Sequence, residues 1–323
     1  MSIENLQQII TTEIERLDWS MSPHGLYEPI EYVLSNGGKR IRPMLVLMGC
    51  EMFSRKITDA IPAALAIEVF HNFTLLHDDL MDRAEMRRGK PSVHIKWNDN
   101  TAILSGDVMQ IKAYQLLAKT PEKYLKQVLD LFSTMACEIC EGQQYDMDFE
   151  QRQDVTADEY LNMIRLKTAV LLGNALKIGA IIGGAPGEDA DLLYNVGVNI
   201  GLAFQLKDDL LDVYGNPETF GKKIGGDILC NKKTYMLISA LEKVEGETKT
   251  ELQKWINATD FNPNEKIKAV TDIYNVLGIK EICEQKMNDF YEISLENLKK
   301  VNINLENKEN LLNLAKSLMK REV

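Results

Sequence analysis

The sequence predicts an all-α protein, built as a single domain over residues 1–323. Apolar residues recur at intervals of three and four along nearly every long stretch, as on the buried face of a helix. The nine prolines mostly fall between those stretches, where they punctuate helices without breaking them. No run alternates apolar and polar residues with the β-branched enrichment of a strand. Nor does a Gly/Ser-rich linker or a fixed-period repeat divide the chain.

Taken in order, MSIENLQQIITTEIERLDW mixes acids with apolar residues at helical spacing. It lacks the basic start and apolar run of a signal peptide and reads as an amphipathic helix. Residues 37–42 form a loop beside a helix start, with Pro43 in the first turn of a helix through LVLMGCEMF. Thr58 or Asp59 caps the next, long helix, which ends near DDLMD. Further helices are expected at about 101–118, 122–145, 157–182, 188–213 and 232–244. The polar part after about residue 245 adds more helices and no legible motif. Gly197 and Gly201, a GxxxG pair flanked by Asn195 and Asn199, predict close helix packing inside a bundle. The most apolar stretch, 169–185, is interrupted by Asn174 and Lys177 and ends in Gly-Gly, short of a membrane span.

Hydrophobic residues make up 45% of the chain, ample for a large core. Against 48 acids stand 37 basic residues, a net charge of −11, which argues against general affinity for nucleic acid or anionic membrane. Any phosphate site is therefore local. Five scattered cysteines form no secreted disulfide framework and suggest a reducing, cytoplasmic setting. Cys137 and Cys140 have CxxC spacing but no second pair, and in a helical context they are expected in the core.

One local echo carries the chemistry: LLHDDLMD at 75–82 and FQLKDDLLD at 204–212. At ~100° per residue, Asp78 and Asp82 lie within about 40° of each other on one helix face. Two carboxylates so placed repel, and a bridging cation relieves the repulsion. Asp208 and Asp212 repeat the spacing. Hard oxygen ligands without Cys/His sets suit magnesium, which keeps waters and binds through one or two carboxylates plus phosphate oxygens. Either cluster alone is more simply a solvated acidic turn; two copies, each after an apolar helical run, are harder to dismiss. The same holds for the basic clusters Lys39, Arg40 and Arg42; Arg87 and Arg88; Lys222 and Lys223; and Lys232 and Lys233. Each alone is ordinary surface. Gathered in an acidic chain beside two acidic clusters, they suit a diphosphate, Arg by bidentate contact and Lys as a point charge.

GGKRIRP, LLHDDLMD followed by RRGKPSVH, RLKTA, and FQLKDDLLD followed by GK together resemble the trans-isoprenyl diphosphate synthase (polyprenyl synthetase) family, in order, over about residues 28–240. The resemblance implies a helical bundle of the isoprenoid synthase type with a central active-site cavity. It implies magnesium ligation by Asp78, Asp82, Asp208 and Asp212, with about three ions per active site once substrate is bound. Asp79 and Asp209 are ligands or lie behind them. Allylic diphosphate contacts fall on Arg87, Lys167, Lys222 and Lys232, and isopentenyl diphosphate contacts on Lys39, Arg42, His71 and Arg88. Thr168 and Gln205 match positions that stabilise a carbocation. Without the resemblance, His71 is simply a packed helical residue. Asn231 stands where the family commonly has Gly, and NKKTY leaves Lys232 and Lys233 both open as the contact. A homodimer is implied as well.

The implied reaction is head-to-tail condensation of isopentenyl diphosphate with dimethylallyl, geranyl or farnesyl diphosphate. Pocket depth sets product length, and the resemblance places its floor at Phe73, five residues or ~7.5 Å before Asp78 on the helix. Phe73 is equally readable as a core aromatic, since Thr74 lies nearer the Asp78 face. With small Thr74 and no insertion in DDLMD, the pattern resembles the geranylgeranyl type, with farnesyl diphosphate as the alternative product. A class I terpene cyclase also carries DDxxD, but the second DDLLD and GGKRIRP disfavour it; intact acidic and basic sets disfavour a non-catalytic subunit.

Overall fold

Long apolar stretches without strand-like alternation leave the backbone to satisfy itself within helices. The computed structural model describes residues 1–216 and 224–320 and is helical along most of them. Among the described residues the strands are one antiparallel pair, β1 (Met86–Arg87) and β2 (Lys90–Pro91). Their two-residue turn uses Arg88 and Gly89, both at positive φ (52° and 75°), the backbone a tight hairpin of this length favours.

The chain divides into two compact units. One comprises Met1–Thr134, Asn174–Tyr194 and Val301–Leu311; the other comprises Met135–Gly173, Asn195–Lys300 and Leu312–Val323.

The first unit is organised on α1 (Ile61–Met81), whose Ala63, Ala64, Ala66, Ile67, Val69 and Phe70 are fully buried. It packs along α2 (Asp99–Leu117). Small residues allow this: a Cβ on Gly106 would lie 2.2 Å from His77 Nε2. A short 3-10 turn, Ile57–Ala60, tightens the entry to α1, so the cap is Ala60, without a side-chain bond, and neither Thr58 nor Asp59 fills that role. Asp59 is drawn instead to Lys56 at 2.9 Å. The helix Ile41–Glu51 begins within the expected loop and carries Pro43 in its first turn. It lies against 176–183 so closely that a Cβ on Gly179 would meet the Val46 carbonyl oxygen at 2.0 Å.

In the second unit, the helix Ala157–Ile164 starts at a reciprocal cap. The Thr156 hydroxyl accepts from the Glu159 N–H at 3.3 Å, and the Glu159 carboxylate accepts from the Thr156 N–H at 2.9 Å. The single helix expected over 157–182 is interrupted: RLKTA (Arg165–Ala169) forms a π turn before α3 (Val170–Gly183) resumes. The reason is local packing on α4 (Glu122–Gln151), where a Cβ on Gly142 would stand 2.3 Å from the Lys167 nitrogen. Close packing at the GxxxG pair is present: Cβ atoms on Gly197 and Gly201 of α5 (Gly187–Tyr214) would lie 2.6 Å from the Leu172 oxygen and from the Ala169 Cα. Cys137 and Cys140 depart from expectation, because their i,i+3 spacing sets both on the exposed stripe of α4, outside the core. The helix expected at 232–244 is Tyr235–Lys243, preceded by α6 (Gly226–Leu229) and followed by three more through Lys300.

Two stretches, Ile57–Met81 and Ala157–Gly183, are long and apolar enough to cross a membrane; 72% and 78% of their apolar windows are buried inside the protein, as in core helices.

Candidate active site

The last turn of α1 carries the first acidic cluster. Asp78 is half-buried and Asp82, at the C-cap, is exposed, while Asp79 between them is buried. The ~100° step from one residue to the next turns Asp79 inward, where Arg87 receives it. Arg87 Nε donates to Asp79 Oδ1 at 2.9 Å and Nη2 donates to the same oxygen at 2.5 Å, with Asp78 Oδ2 3.5 Å from Nη2. Burial raises the Asp79 pKa against the pull of Arg87. Burial also opposes the Arg87 cation, but Asp79, Asp78 and Asp82 outweigh it and hold its pKa above the ordinary value.

The second cluster repeats this arrangement. Asp208 and Asp212 are half-buried and Asp209 is 4% exposed. The Tyr160 hydroxyl donates to Asp209 Oδ2, and Gln205 Nε2 donates to Oδ1 at 3.2 Å. Burial and the nearby Asp227 push the Asp209 carboxyl up to about 7. Asp212 Oδ2 accepts the Asp227 N–H at 3.0 Å, tying this aspartate to the first turn of α6. In both clusters, then, the outer aspartates are reachable and the inner one is anchored. Asp79 and Asp209 lie behind the reachable pairs.

The basic residues sort themselves by burial. Arg40, which the motif alone does not distinguish from its neighbours, is 8% exposed and donates to Glu68 and to the Leu34 oxygen. It is a structural cation, and Asn72 Nδ2 donates to the same Glu68 oxygen, Oε1, at 3.0 Å. His71 is buried, and burial followed by Arg42, Arg88, Arg87 and Arg40 pulls its pKa well below the ordinary value. A neutral imidazole therefore stands within the field of four arginines. Arg42 sits in the first helical turn after the loop, Lys39 is exposed on that loop, and Arg88 at the hairpin tip donates to the Gly37 oxygen. The close approach requires Gly38, whose backbone is at φ 126° and whose Cβ would meet Arg88 Cζ at 2.9 Å.

The π turn presents Lys167 and Thr168 together, a local widening often found at functional sites. Lys167 Nζ donates to Asp146 Oδ2 at 2.7 Å, and Lys232 Nζ lies 3.9 Å from the same oxygen. Burial would raise Asp146, but Lys232 and Lys167 prevail and lower it. Lys233 points elsewhere: it is 8% exposed, and burial lowers its pKa. The Thr168 hydroxyl donates to Gln205 Oε1 at 3.3 Å. Since Gln205 gives its amide N–H to Asp209, its carbonyl end is directed to Thr168. Asn231 adopts φ 54°, a left-handed backbone that Gly takes freely and Asn tolerates better than most residues. Lys222 lies outside the described residues. Asp146 and Tyr160 were not singled out in the sequence: YDMDFE and DEYLNM look like any exposed helical stretch, and only Gly142 one turn before Asp146 marks the place.

The donor sets suit magnesium. All reachable donors of the two DDxxD clusters are carboxylate oxygens, and among the described residues no three His, Cys, Asp or Glu side chains form a closed metal cage. Two carboxylates per cluster match an ion that completes its shell with water and phosphate oxygens.

Phe73 is buried on α1, its ring 4.8 Å from that of His77 and 5.3 Å from that of Phe70. Phe70 meets Phe132 at 5.1 Å, and Phe132 meets Tyr114 at 5.1 Å. Thr74 is half-buried, its hydroxyl bonded to the His71 oxygen at 2.8 Å.

Residues 23–274 match the family model described as polyprenyl synthetase. The chain is 43% identical over 244 residues to a geranylgeranyl diphosphate synthase of Methanosarcina mazei, covering 75% of each protein. A solved geranylgeranyl pyrophosphate synthase superposes over 100% of both chains with a TM-score of 0.95 at 44% identity. The synthase of Corynebacterium glutamicum, solved with isoprenyl diphosphate and magnesium, gives a TM-score of 0.88 at 26% identity over 99% of this chain and 100% of that one.

Proposed function

The chain belongs to the polyprenyl synthetase family, and from that premise we propose that it is a magnesium-dependent short-chain prenyltransferase that condenses isopentenyl diphosphate with an allylic diphosphate to give geranylgeranyl diphosphate. The observation that carries this reading is the doubled carboxylate arrangement, in which an accessible outer pair flanks an anchored aspartate in each DDxxD.

Asp78 and Asp82, and Asp208 and Asp212, are the residues that would hold magnesium for the allylic diphosphate, and the metal would supply positive charge against that developing on the leaving group. Arg87, Lys167 and Lys232 share that task, Lys167 and Lys232 by exchanging Asp146 for phosphate oxygens; Lys222 is a further contact. The allylic C–O bond breaks, its electron pair leaving with diphosphate. The Gln205 carbonyl and Thr168 hydroxyl, held in orientation by Asp209 and Tyr160, turn their negative ends to the allylic cation. Lys39, Arg42, His71 and Arg88 hold isopentenyl diphosphate, whose double-bond electrons form the new C–C bond. Loss of a proton to the departing diphosphate restores the alkene. Phe73 floors the apolar pocket.

The enzyme acts in the cytoplasm, in keeping with five free cysteines, and as a homodimer. Leu104 and Ile111, two turns apart on one face of α2, are 57% and 58% exposed and suit an apolar partner surface. The direct test is to incubate the purified chain with magnesium, isopentenyl diphosphate and each allylic primer, and to measure the prenyl alcohols after dephosphorylation. Geranylgeraniol is expected; no condensation by a folded, magnesium-loaded chain would reject the reading.

A further inference from the structure

Lys266 lies on the helix Pro263–Leu277, in the part of the chain where the sequence shows no motif. It is 1% exposed. Among the described residues its ammonium meets neutral partners: Asn231 Oδ1 at 2.8 Å, the Leu229 oxygen at 3.3 Å, and the Phe261 ring at 4.3 Å. Burying an ammonium without a carboxylate is costly, and methionine or leucine would fill the same space without that cost. Packing alone does not explain a lysine here.

Its partners do. Leu229 ends α6; the N–H groups of Cys230, Lys232 and Asn231 take the Gly226, Asp227 and Ile228 oxygens, and the ammonium takes that of Leu229. Asn231 follows in the left-handed conformation at φ 54°, its own amide donating to the Ile256 oxygen at 3.0 Å. The next residue is Lys232, whose N–H bonds the Asp227 oxygen at 2.9 Å and whose Nζ stands 3.9 Å from Asp146. The first turn of the same α6 is bonded to Asp212, whose carboxylate accepts the Asp227 N–H. The loop from 225 to 232 is thus tied to Asp212 at one end and to Lys266 at the other.

We infer that Lys266 is a positioning residue for the allylic diphosphate site: through Asn231 and the Leu229 carbonyl it sets the backbone of the 229–232 loop so that Lys232 stands beside Lys167 at Asp146. This rests on the proposed function, because it takes Lys232 to be a diphosphate contact. Lys266 itself touches no substrate. Its effect should fall on the allylic substrate and spare isopentenyl diphosphate, which the reading assigns to other residues.

The test compares Lys266→Met, which keeps the apolar stem, with Asn231→Gly, which keeps the left-handed backbone but removes the amide, and with the double variant. Lys268→Met, an exposed change on the same helix, is the control. Two readouts are taken: KM for geranyl diphosphate and for isopentenyl diphosphate, and binding of geranyl diphosphate alone by calorimetry with magnesium. Each single variant should weaken geranyl diphosphate binding and raise its KM about tenfold, the scale of one charge-assisted contact, with KM for isopentenyl diphosphate and the control unchanged. Because both act through one strut, the double variant should be no weaker than the worse single. Unaltered geranyl diphosphate affinity, an equal rise in both KM values, or multiplying effects in the double variant would overturn the inference. If Lys266→Met fails to fold, wild-type affinity in Asn231→Gly overturns it. A wild-type chain that binds geranyl diphosphate but forms no product would instead defeat the proposed function, and the binding arm would still decide the role of Lys266.

Discussion

Asp79 and Asp209 differ from the aspartates around them because a single step along a helix turns a carboxylate from water into protein. Each is then held by its own donors, Arg87 for one and Gln205 with Tyr160 for the other, and of these only Tyr160 goes unmarked in the sequence. For Asp209, burial raises the pKa from 3.8 to about 7. Between those values the folded, metal-free chain keeps a proton that the unfolded chain has released, so stability falls as pH rises through that window. Asp209→Asn, which mimics the protonated carboxyl, should flatten this part of the Tm profile measured from about pH 4 to about pH 7 without magnesium; an unchanged slope would place the titration elsewhere. Phe73 tests product length. Phe73→Ala should extend the product by one or more isoprene units, read by chromatography of the dephosphorylated products, and should cost about 3–5 kcal/mol of stability through the cavity left against Phe70 and His77. An unchanged product with the expected stability loss would make Phe73 a core aromatic alone. The carboxylates and arginines were legible because their spacing is written in the chain; Asp146 and Tyr160 were not, since their roles come from what packs against them.

Among the elements, helices were legible where apolar periodicity was long, as at 122–145 against the observed Glu122–Gln151. The π turn was not. RLKTA has unbroken helical periodicity, and the switch arises where Gly142 brings α4 against the Lys167 backbone. Gly142→Ala should therefore push the turn away, lowering Tm by an amount equivalent to about 1–3 kcal/mol and lowering kcat further by displacing Lys167 and Thr168. A normal kcat in the folded variant would show that the turn tolerates displacement. The missed cap at Thr58 or Asp59 has a similar origin, because the 3-10 turn recruits those residues before α1 begins.

On the scale of the whole molecule, a net charge of −11 confines anion binding to places where cations are gathered against the general field. The proposed homodimer can be tested at the exposed Leu104 and Ile111. Replacing both with Glu should convert a dimer to a monomer in light scattering, and a dimer that survives both changes would put the interface elsewhere. By itself the sequence determined the helical class and the i,i+4 spacing of the two carboxylate pairs, because helical periodicity and i,i+4 spacing are local properties of the chain. Tertiary structure decided which charges are buried: Arg40 with Glu68, Asp79 with Arg87, Asp209 with Tyr160, and Lys266 beneath the Lys232 loop. Burial depends on neighbours distant in sequence, and it is burial that separates a structural ion from one that can meet a substrate.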